Sequence, residues 1–344
     1  MSGARFRCGF VVGKFSPLHL GHEHLVAAAR AACDEVLVLS YSRPDLPGCE
    51  PERRAGWLAA RFPFARTVVV TRDWLAAIPG APADLPPNDA RDRDHTDFCG
   101  WLLTGPLATR VDAVFTSEAY GDGLAAALAD HQGSPVTHVS VDPARTALPV
   151  SGSVIRADVH AHRRFLAPEV YASFVARVAL VGGESSGKST LARALAARFE
   201  TSWVHEYGRE LWEERGGRLD PPDLLDIAAI QIGREERALF TAHRYLFCDT
   251  TPLVTRFYAE WLFGAADLEL VALAQRPYHV TFLCAGDWPF VQDGSRQNPA
   301  FRDRQHAYYA EHLRRAGVPF VELRGDLATR LDAASAALAA HRTF

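Results

Sequence analysis

The chain has 344 residues, 48% hydrophobic and 23% charged, with a formal net charge of −4 at pH 7. That length suits two domains, each able to bury its own core, and the slightly acidic balance excludes the basic face of a duplex-nucleic-acid binder. No apolar run approaches the roughly 20 residues that span a bilayer, and "GFVV" before Lys14 is too short for a signal-peptide core, so a cytoplasmic protein is expected.

Strand-length apolar runs recur in the first half at "CGFVVG", "EVLVLSY", "RTVVVT", "DAVFTSE" and "VTHVSVD", each followed by a helical pattern or a turn. Such alternation predicts a parallel sheet covered on both faces. The first run leads into "GKFSPLHLGHEHLV", where Gly13, Lys14 and Phe15 form a turn and His19 and His22 bracket the start of a helix. Histidines at a helix N-terminus can donate to a phosphate that is becoming a leaving group. Between Ile78 and Phe98 the chain is rich in Pro, Asp and Arg and reads as a long loop. Further on, "PVSGSVIRAD" offers Ser151 and Ser153 as caps of a helix and Arg156 one turn in, placed to neutralise the phosphates of ATP. Together these groups suit in-line attack of an acceptor phosphate on the α-phosphate of ATP, by orientation and electrostatics alone.

The join is expected near Tyr171, after a short connecting helix over 166–176 that opens at Pro168, dividing the chain into domains 1–170 and 171–344. The second half repeats the strand habit with "VALVGG", "TSWVHEY", "YLFCDT", "HVTFLCAG" and "PFVELRG". After its first strand comes G-x-x-x-x-G-K-S, from Gly182 to Ser189, and then a helix. The amides of Gly183, Ser185, Ser186 and Gly187 would cradle phosphates, Lys188 would reach the β- and γ-phosphates, and Ser189 and Asp249 would hold Mg²⁺. Acceptor groups belong at the ends of the later strands, where Glu206, Arg209, Asp249, Asp293 and Arg296 stand; Arg302 and Arg304 follow on a polar segment suited to an arginine lid. The six cysteines form no C-x-x-C pair and read as reduced, mostly buried thiols, and His95 with Cys99 does not complete a metal set.

The ordered set "GKFSPLHLGH", "TSEAYG", "VDPART", "PVSGSVIR", "GGESSGKS", "EYGRE", "CDTTPLVT" and "VQDGSR" resembles the NadR-type bifunctional family over nearly the whole chain. That resemblance implies two doubly wound parallel-sheet α/β domains: a Rossmann-like nicotinamide-mononucleotide adenylyltransferase, then a P-loop ribosylnicotinamide kinase. It implies that Lys14, His19, His22, Ser151, Ser153 and Arg156 hold ATP phosphates, with Ser117 and Glu118 beside the adenosine. In the kinase half, Gly187, Lys188, Ser189 and Thr190 would take phosphates and Mg²⁺, Arg296 would belong to the lid, and either Glu206 or Asp249 would serve as base. Phe98 and Trp101 hold the spacing of two family tryptophans near the nicotinamide, and Phe290 stands where the family tends to carry Trp. The implied ligands are nicotinamide riboside, its mononucleotide, ATP and Mg²⁺. No nucleic-acid partner is expected, because only a short segment precedes the first strand and leaves no room for a helix-turn-helix domain; self-association is left open. Two rivals stand beside this: the same folds acting on another acceptor, or a nucleotide-sensing regulator with one inactive half.

Overall fold

The computed structural model describes residues 6–294 and 296–341, which divide into two compact units, the first ending at Ser173 and the second beginning at Phe174. In the first, strands β1 (Phe6–Gly13), β2 (Cys33–Ser40), β3 (Arg66–Val69), β4 (Ala113–Thr116) and β5 (Thr137–Ser140) form a parallel sheet in the order β3-β2-β1-β4-β5. In the second, β6 (Ala176–Gly182), β7 (Trp203–Val204), β8 (Tyr245–Asp249), β9 (Val280–Cys284) and β10 (Val321–Leu323) are parallel in the order β10-β9-β6-β8-β7. Both are doubly wound. Every strand coincides with one of the strand-length runs in the sequence. The central ones are apolar along their length because they are covered on both faces, all residues of β4 and β8 being buried, while the edge strands β3, β5 and β10 keep exposed residues.

In each unit the strand order reverses beside the first strand, and loops at the carboxyl ends there diverge to leave a crevice. The turns after β1 and β6 open onto those crevices. Three non-glycine residues beside these crevices, Phe15, Ser185 and Thr250, adopt positive φ of 50°, 55° and 81°. A non-glycine residue keeps that conformation only where its surroundings over-determine it.

Two local expectations change. The second half of the stretch expected as a loop, from Asp92, is the start of a helix, Asp92–Thr104. Asp92 and Asp94 sit in its first turn, where they complement the helix dipole, while Phe98, Cys99, Leu102 and Leu103 cover the core. The connection between units is a single helical turn, Pro168–Tyr171, followed by a 3₁₀ turn, Ala172–Phe174, and β6 opens at Ala176 rather than Val178.

All six cysteines are buried. So is Glu235, fully, on the helix Pro221–Ala238. Its two oxygens accept from the Tyr278 hydroxyl at 3.0 and 3.1 Å, and Arg276 lies 3.4 Å away. Burial outweighs these partners and pushes its carboxyl up to about 7, from 4.5. Native protein therefore holds a proton there that unfolded chain has released between those values, so this group's contribution falls as pH rises from 4.5 to 7 and is level above. Its span is on the order of 3 kcal/mol. In Glu235→Gln, urea midpoints of the second unit's transition should lose that part of their pH slope; an unchanged slope contradicts the assignment.

Candidate active sites

The cleft of the second unit is built on the P-loop. Gly182, Ser185 and Gly187 all take positive φ, of 151°, 55° and 83°, which curls the backbone so that its amides converge ahead of the helix Lys188–Arg198. Two glycines are sterically required. A Cβ on Gly183 would lie 2.7 Å from the carbonyl oxygen of Arg302, and one on Gly187 would press on the Trp288 ring at 3.3 Å in a left-handed conformation. Behind the loop, the fully buried Arg330 donates to the carbonyls of Ser186 (2.6 Å), Ala285 (3.1 Å) and Gly325 (2.9 Å) and pairs with Asp287 at 2.5 Å. Beside it a closed circuit runs from Glu184 N to Gln305 (2.7 Å), from Gln305 to the Tyr258 hydroxyl (3.0 Å), and from that hydroxyl back to the Glu184 carboxylate (2.8 Å). Lys188 Nζ rests on the carbonyls of Gly182 and Gly183 at 2.9 and 3.0 Å.

The cleft is about 270 Å³. Ser185 through Thr190 form its floor; Glu206, Arg209 and Arg296 lie on its walls, and Trp212, Leu224 and Ile227 make an apolar face. Asp249 ends the strand directly beside β6 and is 1% exposed. Its Oδ1 is buried without a hydrogen-bond partner. Burial and the nearby Glu206 raise its carboxyl above the usual range, against the pull of Lys188 and Ser189. An orphaned carboxylate oxygen beside the P-loop serine fits a Mg²⁺ that takes its other ligands from phosphate and water; among the described residues no cluster of three acidic, His or Cys side chains forms a cage of its own.

Other expected residues lie outside the cleft lining. Asp293 pairs with Arg209 (2.9 Å) and Arg296 (3.2 Å). Phe290 lies under the Arg302 guanidinium at 5.5 Å. Arg302, expected on a lid over the phosphates, is instead buried: it is on the core side of the helix Pro299–Arg315, donates to the Trp288 carbonyl at 2.7 Å and packs its backbone against Gly183.

The first unit's cleft is built differently. His19 is the N-cap of the helix Leu20–Ala32, its ring stacked on His22 at 3.7 Å. His22 Nδ1 accepts from the His19 amide at 3.3 Å, so a neutral His22 carries its proton on Nε2. Burial first, then Arg145 and Arg156, lowers His19 to about 4; burial, His19 and Arg145 hold His22 well below its ordinary value. His19 Nδ1 is buried without a partner. Arg156 reaches back to the Ser16 carbonyl at 2.5 Å, and Ser151 caps its helix by accepting from the Val154 amide; Ser153 is exposed on the first turn of that helix. Lys14 Nζ rests on the Asn88 carbonyl at 3.2 Å, and burial followed by Arg156 lowers its pKa. Behind this turn the fully buried Arg54 donates to Ser40 Oγ at 2.8 Å, whose hydroxyl donates to the Lys14 carbonyl at 3.1 Å.

Beside Gly13 and Lys14 lies a pocket of about 220 Å³ lined by Tyr41, Asn88, Asp92, His95 and Tyr120. The Tyr41 hydroxyl meets His95 Nδ1 at 2.8 Å. Phe98, expected to stack on the acceptor ring, is instead a core residue, 5% exposed and edge-on to Tyr41; Trp101 packs against the same core. Their i,i+3 spacing puts both on the buried side of their helix. Phe15 is likewise 1% exposed, its ring supporting His22 at 4.7 Å, so only its backbone faces the turn. Ser117 is half-buried and Glu118 exposed, the latter paired with Arg145 at 2.6 Å. The sequence did not single out Tyr41, Asn88, Arg54, Tyr258 or Arg330. It raised His95 only as an incomplete metal set and held Tyr120 only inside the "TSEAYG" stretch, while the polar run "NDARDRDH" from Asn88 to His95 was expected as part of a loop.

The AAA domain family matches residues 177–330. The "Trifunctional NAD biosynthesis/regulator protein NadR" of Salmonella typhimurium is 26% identical over 337 residues, covering 92% of this chain and 78% of that protein. The protein of the same name from Escherichia coli is 27% identical over 321 residues, covering 86% and 73%. A crystal structure of a NadR protein in complex with NR superimposes with a TM-score of 0.71 at 19% identity, covering 98% of both chains. A second, with NAD and AMP-PNP, gives 0.69 at 20% identity over 98% and 96%. At those identities the two structures speak for the shared fold.

Arg330→Met should leave three buried carbonyls unpaired, costing about 3–5 kcal/mol and lowering ATP affinity in the same variant. Gly183→Ala should destabilise the second unit by about 1–3 kcal/mol and weaken nucleotide binding at least about tenfold, since the added methyl meets the Arg302 backbone behind the loop. Equilibrium unfolding and nucleotide titration of both variants check this; wild-type ATP affinity in Gly183→Ala contradicts the steric reading.

Proposed function

We propose that this chain, a homologue of the NadR proteins over most of its length, is a two-step NAD salvage enzyme. The second unit phosphorylates the 5′-hydroxyl of nicotinamide riboside with ATP. The first adenylylates the resulting mononucleotide, releasing pyrophosphate and forming NAD⁺. One observation carries the reading: the second cleft joins a complete phosphate loop to a carboxylate and an apolar wall, so a phosphate donor and a riboside fit in one space.

In that cleft Glu206, which lines the wall, would accept the proton of the attacking hydroxyl. Asp249 and Ser189 would hold Mg²⁺, which when bound neutralises charge on the transferring phosphates. Lys188 exchanges two backbone carbonyls for phosphate oxygens. Trp212, Leu224 and Ile227 would cover the base. Positioning and charge stabilisation supply most of the acceleration in such transfers.

In the first cleft His22 offers a neutral Nε2–H, and His19, Lys14 and Arg156 surround the same helix start. These groups stabilise the charge that gathers on the leaving pyrophosphate while the acceptor phosphate attacks in line. The acceptor's ring would occupy the pocket of Tyr41, His95 and Tyr120. No side chain becomes covalently attached in either step.

Chromatography with mass detection tests both steps. From riboside, ATP and Mg²⁺ the chain should form mononucleotide and then NAD⁺. Lys188→Ala should stop riboside consumption while still converting added mononucleotide; His19→Ala should let mononucleotide accumulate. Mononucleotide that is never adenylylated refutes the assignment of the first unit, and a nucleotide-sensing regulator with one inactive half would carry out only one of the two steps. Because both histidines are neutral well below 6.5, kcat/KM for the mononucleotide should show no histidine limb near that pH.

A further inference from the structure

We propose that Arg145 is a polyphosphate-binding residue of the first cleft, tethered by Glu118 until the triphosphate displaces that carboxylate; this rests on the adenylyltransferase reading. The loop after β5 spends two unusual backbone conformations on placing it, with Asp142 at φ 46° and Arg145 at φ 51°. A dense set of bonds holds that geometry. The Arg145 amide donates to the Asp142 carbonyl at 2.9 Å, and the Asp142 carboxylate accepts from the Thr146 amide (2.8 Å), the Thr146 hydroxyl (2.9 Å) and the Ala147 amide (3.1 Å). Strain secured this firmly is characteristic of residues held for a ligand.

The turn aims the guanidinium back at the phosphate crevice. One arm donates to the Val150 carbonyl at 3.2 Å, the residue before Ser151, and the other to Glu118 Oε1 at 2.6 Å. Val150 in turn packs on the first turn of the helix Leu20–Ala32: a Cβ on Gly21 would sit 3.0 Å from the His19 ring and 3.6 Å from Val150 Cγ1. Through Val150, Arg145 is thus held near the start of that helix, close enough for its charge to help keep both histidines neutral. With Lys14 and Arg156 it makes a third cation beside the histidine pair.

The tether is of a kind that releases. The Arg145 and Glu118 side chains are 38% and 54% exposed, and an ion pair in that much water is weak. A polyphosphate brings several charges and acceptor oxygens matched to a guanidinium fork, so it displaces a single carboxylate. Glu118 then swings clear, and charge collecting on the departing pyrophosphate meets Arg145 already aligned.

The test is calorimetric titration of inorganic pyrophosphate into the full chain carrying Lys188→Ala, which disables the P-loop's lysine. Adding Arg145→Ala should weaken binding roughly 10- to 100-fold, as loss of a charge-assisted pair does, and Arg145→Lys should recover part of it. Adding Glu118→Gln should leave binding equal or tighter, since it frees the arginine. Unchanged affinity in Arg145→Ala overturns the proposal, as does a Glu118→Gln loss equal to that of Arg145→Ala, which would make the arginine a mere brace for its turn. A Lys188→Ala chain that does not bind pyrophosphate overturns it too. Failure of the adenylyltransferase reading shows separately, as absence of dinucleotide from mononucleotide and ATP with the unmutated chain, and the titration still decides for or against Arg145.

Discussion

Arg54 and Arg330 are the largest fully buried side chains among the described residues of the two units, and each stands behind the turn that follows its unit's first strand. A guanidinium offers five donors in a fixed plane and does not lose its charge, so it can bind several carbonyl oxygens at once and hold them at fixed separations. Arg330 does this for the P-loop peptide at Ser186 and the two loops flanking it. Arg54 does it through Ser40 for the carbonyl of Lys14. Turning carbonyls inward toward a buried cation leaves the amides of the same turns facing outward. Both turns depend on this arrangement, because backbone strained at Phe15 and Ser185 would otherwise relax.

Ahead of those braces, the two clefts share a charge logic with opposite emphasis. The first gathers cations around histidines that stay neutral, an arrangement that waits for negative charge. The second places one lysine on carbonyl tethers and sets carboxylates opposite it, one of them raised by its neighbour and by burial. A polyanion alone satisfies the first. The second needs a polyanion together with a cation or a hydroxyl, since Asp249 keeps a buried oxygen unpaired. Under the proposed function, the product of the carboxylate-lined cleft carries the new phosphate that the cation-lined cleft then engages.

The central strands were legible because strands buried on both faces write themselves as apolar runs, the edge strands because shorter runs such as "RTVVVT" and "PFVELRG" recur between helical patterns, and the P-loop because its glycines, lysine and serine are contiguous. Side chains that act through distant partners were not. Arg330 bonds Ser186 across 144 positions, and Tyr41 meets His95 across 54, with no local pattern marking either. Phe98 and Trp101 show the converse failure. A ligand-facing aromatic pair and a core-facing one have the same i,i+3 spacing, and only the direction of the helix axis separates them. The aspartates from Asp92 misled for a related reason: acidic residues suit a loop and a helix's first turn equally well, and the apolar stripe that decides lies one turn further on.

The buried cysteines carry a practical corollary. Burial pushes the thiols of Cys8, Cys49 and Cys284 up to about 11 and that of Cys99 up to about 12, so almost none of their thiolate exists at neutral pH. Reagents that consume thiolates find little to attack while the fold is intact. A cysteine added to an exposed helix face would therefore be the reactive sulfur of the folded chain, and a fluorophore or spin label could be fixed at that position with all six native cysteines left in place.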